Sequence, residues 1–201
     1  MAEPARRIWT VEAFFAWQAR QPDLYELVSG EPRLMAGASN VHDDIVVNLV
    51  AELKTQTRGS GCRPFTGDGA VETRPGQIRR PDVGLDCGRR DPRATVAAEA
   101  RLIVEVLSPS TRDFDTFEKL DEYRAMPGLD AILIVEPNQP LVVVWERSDE
   151  GSWSSRRVEG LEAGIALPTV GVTLTMAAIY DGVSVPAAPR LVQGEDREER
   201  A

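Results

Sequence analysis

The chain has 201 residues, 42% of them hydrophobic and 27% charged, and a formal net charge of −9. That length suits one compact domain with a substantial core, and no apolar run approaches the roughly 18 residues that a membrane span needs. The acidic balance excludes broad non-specific affinity for nucleic acid, which comes from Lys and Arg neutralising phosphates, but leaves room for a local basic patch.

The opening stretch, MAEPARRIWTVEAFFAW, lacks the charged-then-apolar layout of a signal peptide, so a cytoplasmic protein is expected. Thr10 to Ala19 reads as a short helix with Thr10 as its N-cap and Phe14, Phe15 and Trp17 available for packing. LYELVSGEPRLMAG reads as a hairpin turning at Ser29 and Gly30, with Tyr25 and Leu27 on one face and Leu24, Glu26 and Val28 on the other. Ser39 or Asn40 caps a second helix, VHDDIVVNLVAELKTQ, in which Val41, Ile45, Leu49 and Leu53 recur every fourth residue and Val46 and Val50 widen the stripe. Gly59, Ser60 and Gly61 stop it.

Short strands follow. CRPFTG and GAVETR are separated by Gly67, Asp68 and Gly69, a hairpin signal, and Pro75 and Gly76 turn the chain again. RRPDVGLD leads into a third strand, and Asp86 to Ala100 is a polar loop with at most one helical turn. RLIVEVL is the best candidate for a central strand, because β-branched residues suit a pleated, buried surface. Ser108 to Thr111 break it, and a helix follows to about Met126, with Ser110 and Asp113 at capping-box-like spacing. AILIVE and LVVVWER are two more strands, and shorter strands and turns run to about Tyr180.

The fold class is therefore α+β: a mixed β-sheet flanked by helices, with an N-terminal helix and β-hairpin. Residues 1–185 are expected to form one domain, and 186–201, rich in Glu and Arg, a disordered tail. Cys62 and Cys87 lack motif spacing, so a reduced pair is expected, and a single histidine argues against zinc. Arg79, Arg80, Arg89, Arg90 and Arg93 flank the Asp82 segment, and Arg101 and Arg112 flank the Glu105 segment. They can form a solvated rim or face a phosphate.

Two acids stand where a buried sheet normally keeps valines. Asp82 follows the stiff Pro81 at a strand start, and Glu105 sits between Val104 and Val106 in the apolar run. A charge in a sheet is costly to desolvate unless it is paired or bound to a metal. For either acid alone, an ion pair with a neighbouring arginine is the simpler account. If the two strands pair, both carboxylates converge on one edge, and two hard oxygen ligands there suit magnesium, which takes one or two carboxylates and keeps several waters. On the following helix, Asp115, Lys119 and Tyr123 recur at i, i+4, i+8 beside the apolar face of Phe114, Phe117 and Leu120. Helical side chains lean toward the N-terminus, so Lys119 leans toward the loop leaving Glu105. There it can balance charge on a phosphate or orient a water, or it pairs with Asp115 on a solvated face.

Pro81-Asp82 followed by Glu105 in a hydrophobic strand resembles the PD-(D/E)XK nuclease pattern. More closely, the chain resembles the Uma-type restriction endonuclease family. TVEAFFAW, YELVSGEPRLMAG, NVHDDIVVNLVAELK, RRPDVGLD, LIVEVLSPSTRDFDTFEKLDEYRAMPGLDAILIVEP and VVVWER carry the resemblance in order, over about residues 10 to 147. It implies a restriction-endonuclease-like core and metal-dependent hydrolysis of a DNA phosphodiester. Asp82 and Glu105, with the main-chain carbonyl of Val106, would hold Mg2+, for which Mn2+ can substitute. One departure stands out: the superfamily's lysine belongs two residues after the glutamate, where this chain has Leu107, and Lys119 matches a lysine supplied by the next helix. The same resemblance suggests supporting roles for Glu26 in the hairpin and His42 at the helix start. Otherwise Glu26 is an exposed edge charge and His42 a partly buried helix-end group. Tyr123 either touches phosphate or caps the core.

Three functions remain in competition on the sequence. A Mg2+-dependent endodeoxyribonuclease uses the Asp82, Glu105 and Lys119 set on DNA, as a homodimer if both strands are cut. A non-catalytic module of the same fold binds DNA or a protein partner, which the −9 charge and Leu107 favour. Glycoside hydrolysis by two carboxylates needs a sugar groove, and aromatics at 6% do not suggest one.

Overall fold

The structure is a computed structural model that describes residues 8–35, 37–108 and 114–184, with 114–117 as backbone only. The capping role read for Ser110 and Asp113, the flanking Arg112 and the tail 186–201 lie outside the described residues. No described helix is long and apolar enough to cross a membrane.

Helix α1 (Val11–Gln18) begins where the Thr10 hydroxyl accepts the Ala13 N–H at 3.2 Å, so the cap falls where expected. Strands β1 (Tyr25–Val28) and β2 (Glu31–Leu34) pair antiparallel as the expected hairpin. Its two-residue turn has positive φ at both positions, 52° at Ser29 and 77° at Gly30, a pattern whose twist matches that of the strands. Helix α2 (Asn40–Gln56) starts at Ser39, whose hydroxyl accepts the His42 N–H. Its every-fourth-residue stripe buries Ile45, Leu49 and Leu53 completely.

The middle of the chain departs from the expected order. Strand β3 (Arg63–Thr66) does not pair with β4 (Val71–Arg74). Instead β3 pairs antiparallel with β6 (Val83–Asp86), while β4 pairs with β5 (Gln77–Arg79). The Gly67-Asp68-Gly69 segment is thus a crossing between two sheets. Phe65 explains it: its ring fills the space where a Cβ on Gly69 or Gly84 would stand, a local packing that alternation alone does not reveal.

Strand β7 (Ala100–Val106) is central, antiparallel to β6 and parallel to β8 (Ala131–Glu136). Parallel neighbours require a crossover, and helix α3 (Phe114–Arg124) supplies it, so α3 returns across the sheet that carries Glu105. Strands β9 (Leu141–Arg147) and β10 (Trp153–Glu159) complete a six-stranded mixed sheet in the order β10-β9-β8-β7-β6-β3. A second, antiparallel sheet has the order β2-β1-β5-β4. A two-stranded ribbon, β11 (Gly164–Leu167) and β12 (Val172–Thr175), precedes the short helix α4 (Met176–Ile179).

Each face of the large sheet has its own cover. Val83, Leu85, Leu102, Val104, Leu133 and Val144 pack against α2, the ribbon and α4. Ile103 and Ile132 face the other way, toward Leu120 and Tyr123 of α3 and Val71 of β4. Residues 87–99 hold no helix, only a turn closed by the Ala94 N–H on the Asp91 carbonyl. They are held by the buried Asp86, which accepts the N–H groups of Gly88, Ala98 and Glu99 and pairs with Arg63.

Cys62 and Cys87 form a disulfide, which corrects the expected reduced pair. Pairing of β3 with β6 sets Arg63 opposite Asp86, so the residues just outside that pair, Cys62 and Cys87, are brought side by side. Spacing along the sequence does not show this register.

Because α2 rests on the sheet through only a few fully buried residues, Leu49→Ala is expected to destabilise the protein by about 2–5 kcal/mol through lost burial and a residual cavity. Urea denaturation monitored by circular dichroism reads this as a lower midpoint with unchanged slope.

Candidate active site

The β6–β7 register pairs Val83 with Val104, so the next step along the ladder sets Asp82 beside Glu105. Asp82 stands just before β6, where the ladder opens, and it takes the place of a strand partner: its Oδ2 accepts the Val106 N–H at 2.7 Å. The same oxygen lies 3.1 Å from His42 Nε2 at the first turn of α2. Glu105 makes its contacts with α3. Its Oε1 accepts the Tyr123 hydroxyl at 2.6 Å and lies 3.5 Å from Lys119 Nζ. The site therefore sits at the end of the sheet, with α2 orienting one acid and α3 the other.

Lys119 is neither on a solvated face nor aimed at bulk water. Its side chain is 14% exposed, and its ammonium group lies 3.2 Å from Glu26 Oε1 as well as near Glu105. Glu26 is correspondingly not an exposed edge charge; it is buried on β1, an inner strand of its sheet. A cavity of about 160 Å³ opens over Glu26, His42, Asp82, Glu105 and Lys119. Leu107, two residues after Glu105, also lines it.

Arg79 and Arg80 are not solvated rim residues: both are buried, and Arg80 lines the cavity over the acids. The Arg79 guanidinium makes two hydrogen bonds to Glu122, at 2.9 Å and 2.7 Å, and one to Glu26 at 3.0 Å. Thr73 and Gln77 complete the shell of Glu122. Arg80 turns its guanidinium to the main-chain carbonyls of Tyr25 and Asp68, and its N–H to Glu26. Glu122 was not singled out in the sequence, although it stands three residues after Lys119 and beside Tyr123. A charge on the buried face of α3 is the signal that marks it.

The site strains against its own charge. Burial pushes the Glu105 carboxyl up to about 7; Lys119 opposes that rise, Asp82 adds to it, the Tyr123 hydrogen bond opposes it and Glu26 adds to it. Burial pulls His42 down, but the hydrogen bond to Asp82 and the charges of Asp82, Glu105 and Asp43 outweigh it, and its net shift is upward. Burial and then the Arg79 contact act on Glu122 in opposite senses, and Arg79 prevails, holding it below the usual carboxylate range.

The two acids supply hard oxygen donors of the kind a small cation takes. The contacts of Asp82 fall on Oδ2 and those of Glu105 on Oε1, which leaves the second oxygen of each acid outside these bonds. Among the described residues, no group of three or more His, Cys, Asp or Glu side chains has the placement to hold a metal ion. Two carboxylates suit an ion that retains several waters, whereas zinc demands a fuller set of protein ligands.

The profile of the Uma2 family, described as "Putative restriction endonuclease", matches residues 11–177. The chain belongs to that family. It is 27% identical over 175 residues to "Uncharacterized protein slr1290" of Synechocystis sp. (strain ATCC 27184 / PCC 6803 / Kazusa), an overlap of 86% of this chain and 92% of that one. Its fold matches, with a TM-score of 0.69, the crystal structure of a "putative nuclease belonging to DUF820" from Anabaena variabilis ATCC 29413. The two share 15% identity, over 87% of this chain and 99% of that one, a likeness that shows the fold.

Removing the Arg79 charge strands two buried acids, so Arg79→Met is expected to cost about 3–5 kcal/mol in chemical denaturation. Raised values for Glu105 and His42 mean that the folded state binds more protons than the unfolded state between about pH 4.5 and 7. In metal-free buffer the melting temperature is therefore expected to fall as pH rises through that window. Glu105→Gln should flatten the fall, as read by calorimetry across a pH series.

Proposed function

We propose that this chain is a divalent-metal-dependent endonuclease that hydrolyses phosphodiester bonds of DNA at Asp82, Glu105 and Lys119. One observation carries the reading. A lysine from α3 comes within 3.5 Å of an acid on β7, beside a second acid from the adjoining strand, although the position two residues after Glu105 holds leucine. The helix restores the cation that the strand lacks.

Asp82 and Glu105 would hold Mg2+ or Mn2+, together with the main-chain carbonyl of Val106. When bound, such an ion supplies Lewis-acid polarisation of the phosphate and makes water a better nucleophile. Hydrolysis forms a bond from water oxygen to phosphorus and breaks the ester bond to the leaving oxygen, with negative charge gathering on the phosphoryl oxygens. Lys119 Nζ would offset that charge in a partly enclosed site, where fixed charges act more strongly than in water. His42 and the Val106 N–H fix the rotamer of Asp82, and Tyr123 fixes that of Glu105. Glu26, tied to Arg79 and Lys119, positions the lysine rather than meeting the phosphate.

Nicking of supercoiled plasmid with Mg2+ or Mn2+ tests this. Asp82→Ala, Glu105→Ala and Lys119→Met are each expected to lower the rate by about 10²–10³-fold or more in variants that still melt cooperatively above the assay temperature, and EDTA to abolish it. His42→Ala should cost less, because it acts through Asp82. Equal nicking by Asp82→Ala and the parent protein would reject the site, and DNA binding with no cleavage under any divalent ion would favour a non-catalytic module.

A further inference from the structure

The catalytic cavity does not end at the acids. It shares Ala38, His42 and Asp82 with an adjoining trough of about 600 Å³ along α2. That trough in turn shares Lys54 with a third cavity of about 370 Å³. His42 and Lys54 lie twelve residues apart on one helix, so at the helical rise the path is about 18 Å long.

Its chemistry changes along its length. The middle is walled by Val46, Val47 and Val50 of α2 together with Leu24, and Val47 is 58% exposed, an unusual position for a valine on a helix whose other face is core. Asp43 and Asp68 border this stretch and disfavour a phosphate there. The far end carries Lys54, Arg89 and Arg90 beside the half-buried Phe65, against one further acid, Asp91. Asp86 and Arg63, which also line it, offset each other, and the Asp86 carboxylate accepts three main-chain N–H groups besides. Those same bonds hold the loop that presents Arg89 and Arg90.

We propose that the trough along α2 is the path of single-stranded DNA leading from the acids, with bases on the valine wall and backbone phosphates at the basic end. The proposal rests on the nuclease reading above and adds the form of the substrate. Single strands are bound by a positive groove for the backbone together with apolar or aromatic surfaces for unstacked bases, and this path has both in series. A duplex keeps its base faces stacked inside and offers the valine wall only phosphates and sugars. An acidic chain with one compact basic end suits few phosphate contacts, as a short single strand makes. At duplex rise, 18 Å corresponds to about five nucleotides, and to fewer in an unstacked strand.

The test uses the full chain in EDTA at low salt, so that binding is read without cleavage. Fluorescence anisotropy compares a labelled oligothymidylate of about 12 nucleotides, within the site sizes of single-strand binders, with a blunt duplex of equal length. The single strand is expected to bind at least about tenfold more tightly. Combined Lys54→Glu, Arg89→Glu and Arg90→Glu should weaken it at least about tenfold and reduce the log–log salt slope by about two, at roughly 0.7 per phosphate lost. Val47→Asp should weaken it at unchanged slope and unchanged melting temperature. Undetectable single-strand binding, duplex binding as tight or tighter, or affinity indifferent to both variants overturns the proposal. Nicking by the same preparations with Mg2+ judges the catalytic reading separately: Asp82→Ala should lose nicking whether or not the trough binds DNA.

Discussion

A single buried guanidinium holds the site together. Arg79 stands on β5 of the four-stranded sheet, and it grips Glu26 of the same sheet and Glu122 of α3, which covers the other sheet. Full burial makes each of these charges costly alone, so the three are stable only as a set. The consequence reaches the proposed chemistry because Glu26 and Lys119 are also paired, and Lys119 shares α3 with Glu122. Fixing Glu122 fixes the helix register, and the register fixes how far the ammonium group stands from Glu105. A hydrophobic contact, which tolerates sliding, would not specify that distance as narrowly.

This arrangement accounts for a lysine carried on a helix. A lysine two residues after Glu105 would lie on the same face of the same strand, positioned by the sheet alone. Leu107 lines the cavity there instead, and the cation arrives from an element whose placement depends on a separate ion-pair network. On the proposed reading, the demand for precision moves from β7 to the contact between α3 and the smaller sheet. It also explains why Tyr123 is both core and site: its ring packs with Ile103, Leu120 and Leu129, while its hydroxyl reaches Glu105. The sequence left those two roles as alternatives, and one side chain performs the packing of the first with its polar tip at the acid.

Much of the fold was legible because it rests on local periodicity. The stripe Ile45, Leu49, Leu53, the hairpin turn at Ser29 and Gly30, and the β-branched run around Glu105 each announce their element within a few residues. The approach of Asp82 and Glu105 was legible as a condition, the pairing of two strands, and the register meets it. What stayed hidden is long-range. The partner of β3 lies beyond two intervening strands, so the glycines at 67 and 69 looked like a hairpin when they are a crossing between sheets. The disulfide follows from that same register. Arg79, Arg80 and Glu122 were hidden for another reason: a charged residue in sequence reads as surface, and only the meeting of Arg79 with Glu26 and Glu122, and of Arg80 with main-chain carbonyls, makes burial tolerable.

Helix α2 unites the two ends of the molecule's surface chemistry. Its core face is an ordinary stripe of Ile45, Leu49 and Leu53, but the flank carrying His42, Val46, Val47, Val50 and Lys54 faces the trough. One rigid rod thereby sets both the orientation of Asp82, through His42, and the location of the basic end relative to it. Loops at both places would let the two drift independently. A helix spanning twelve residues between them fixes their separation as firmly as its own hydrogen bonds, and its burial against β6 and β7 fixes its direction relative to the acids those strands present. The same packing that builds the core thus sets the distance from the acids to the place where a phosphate could be held.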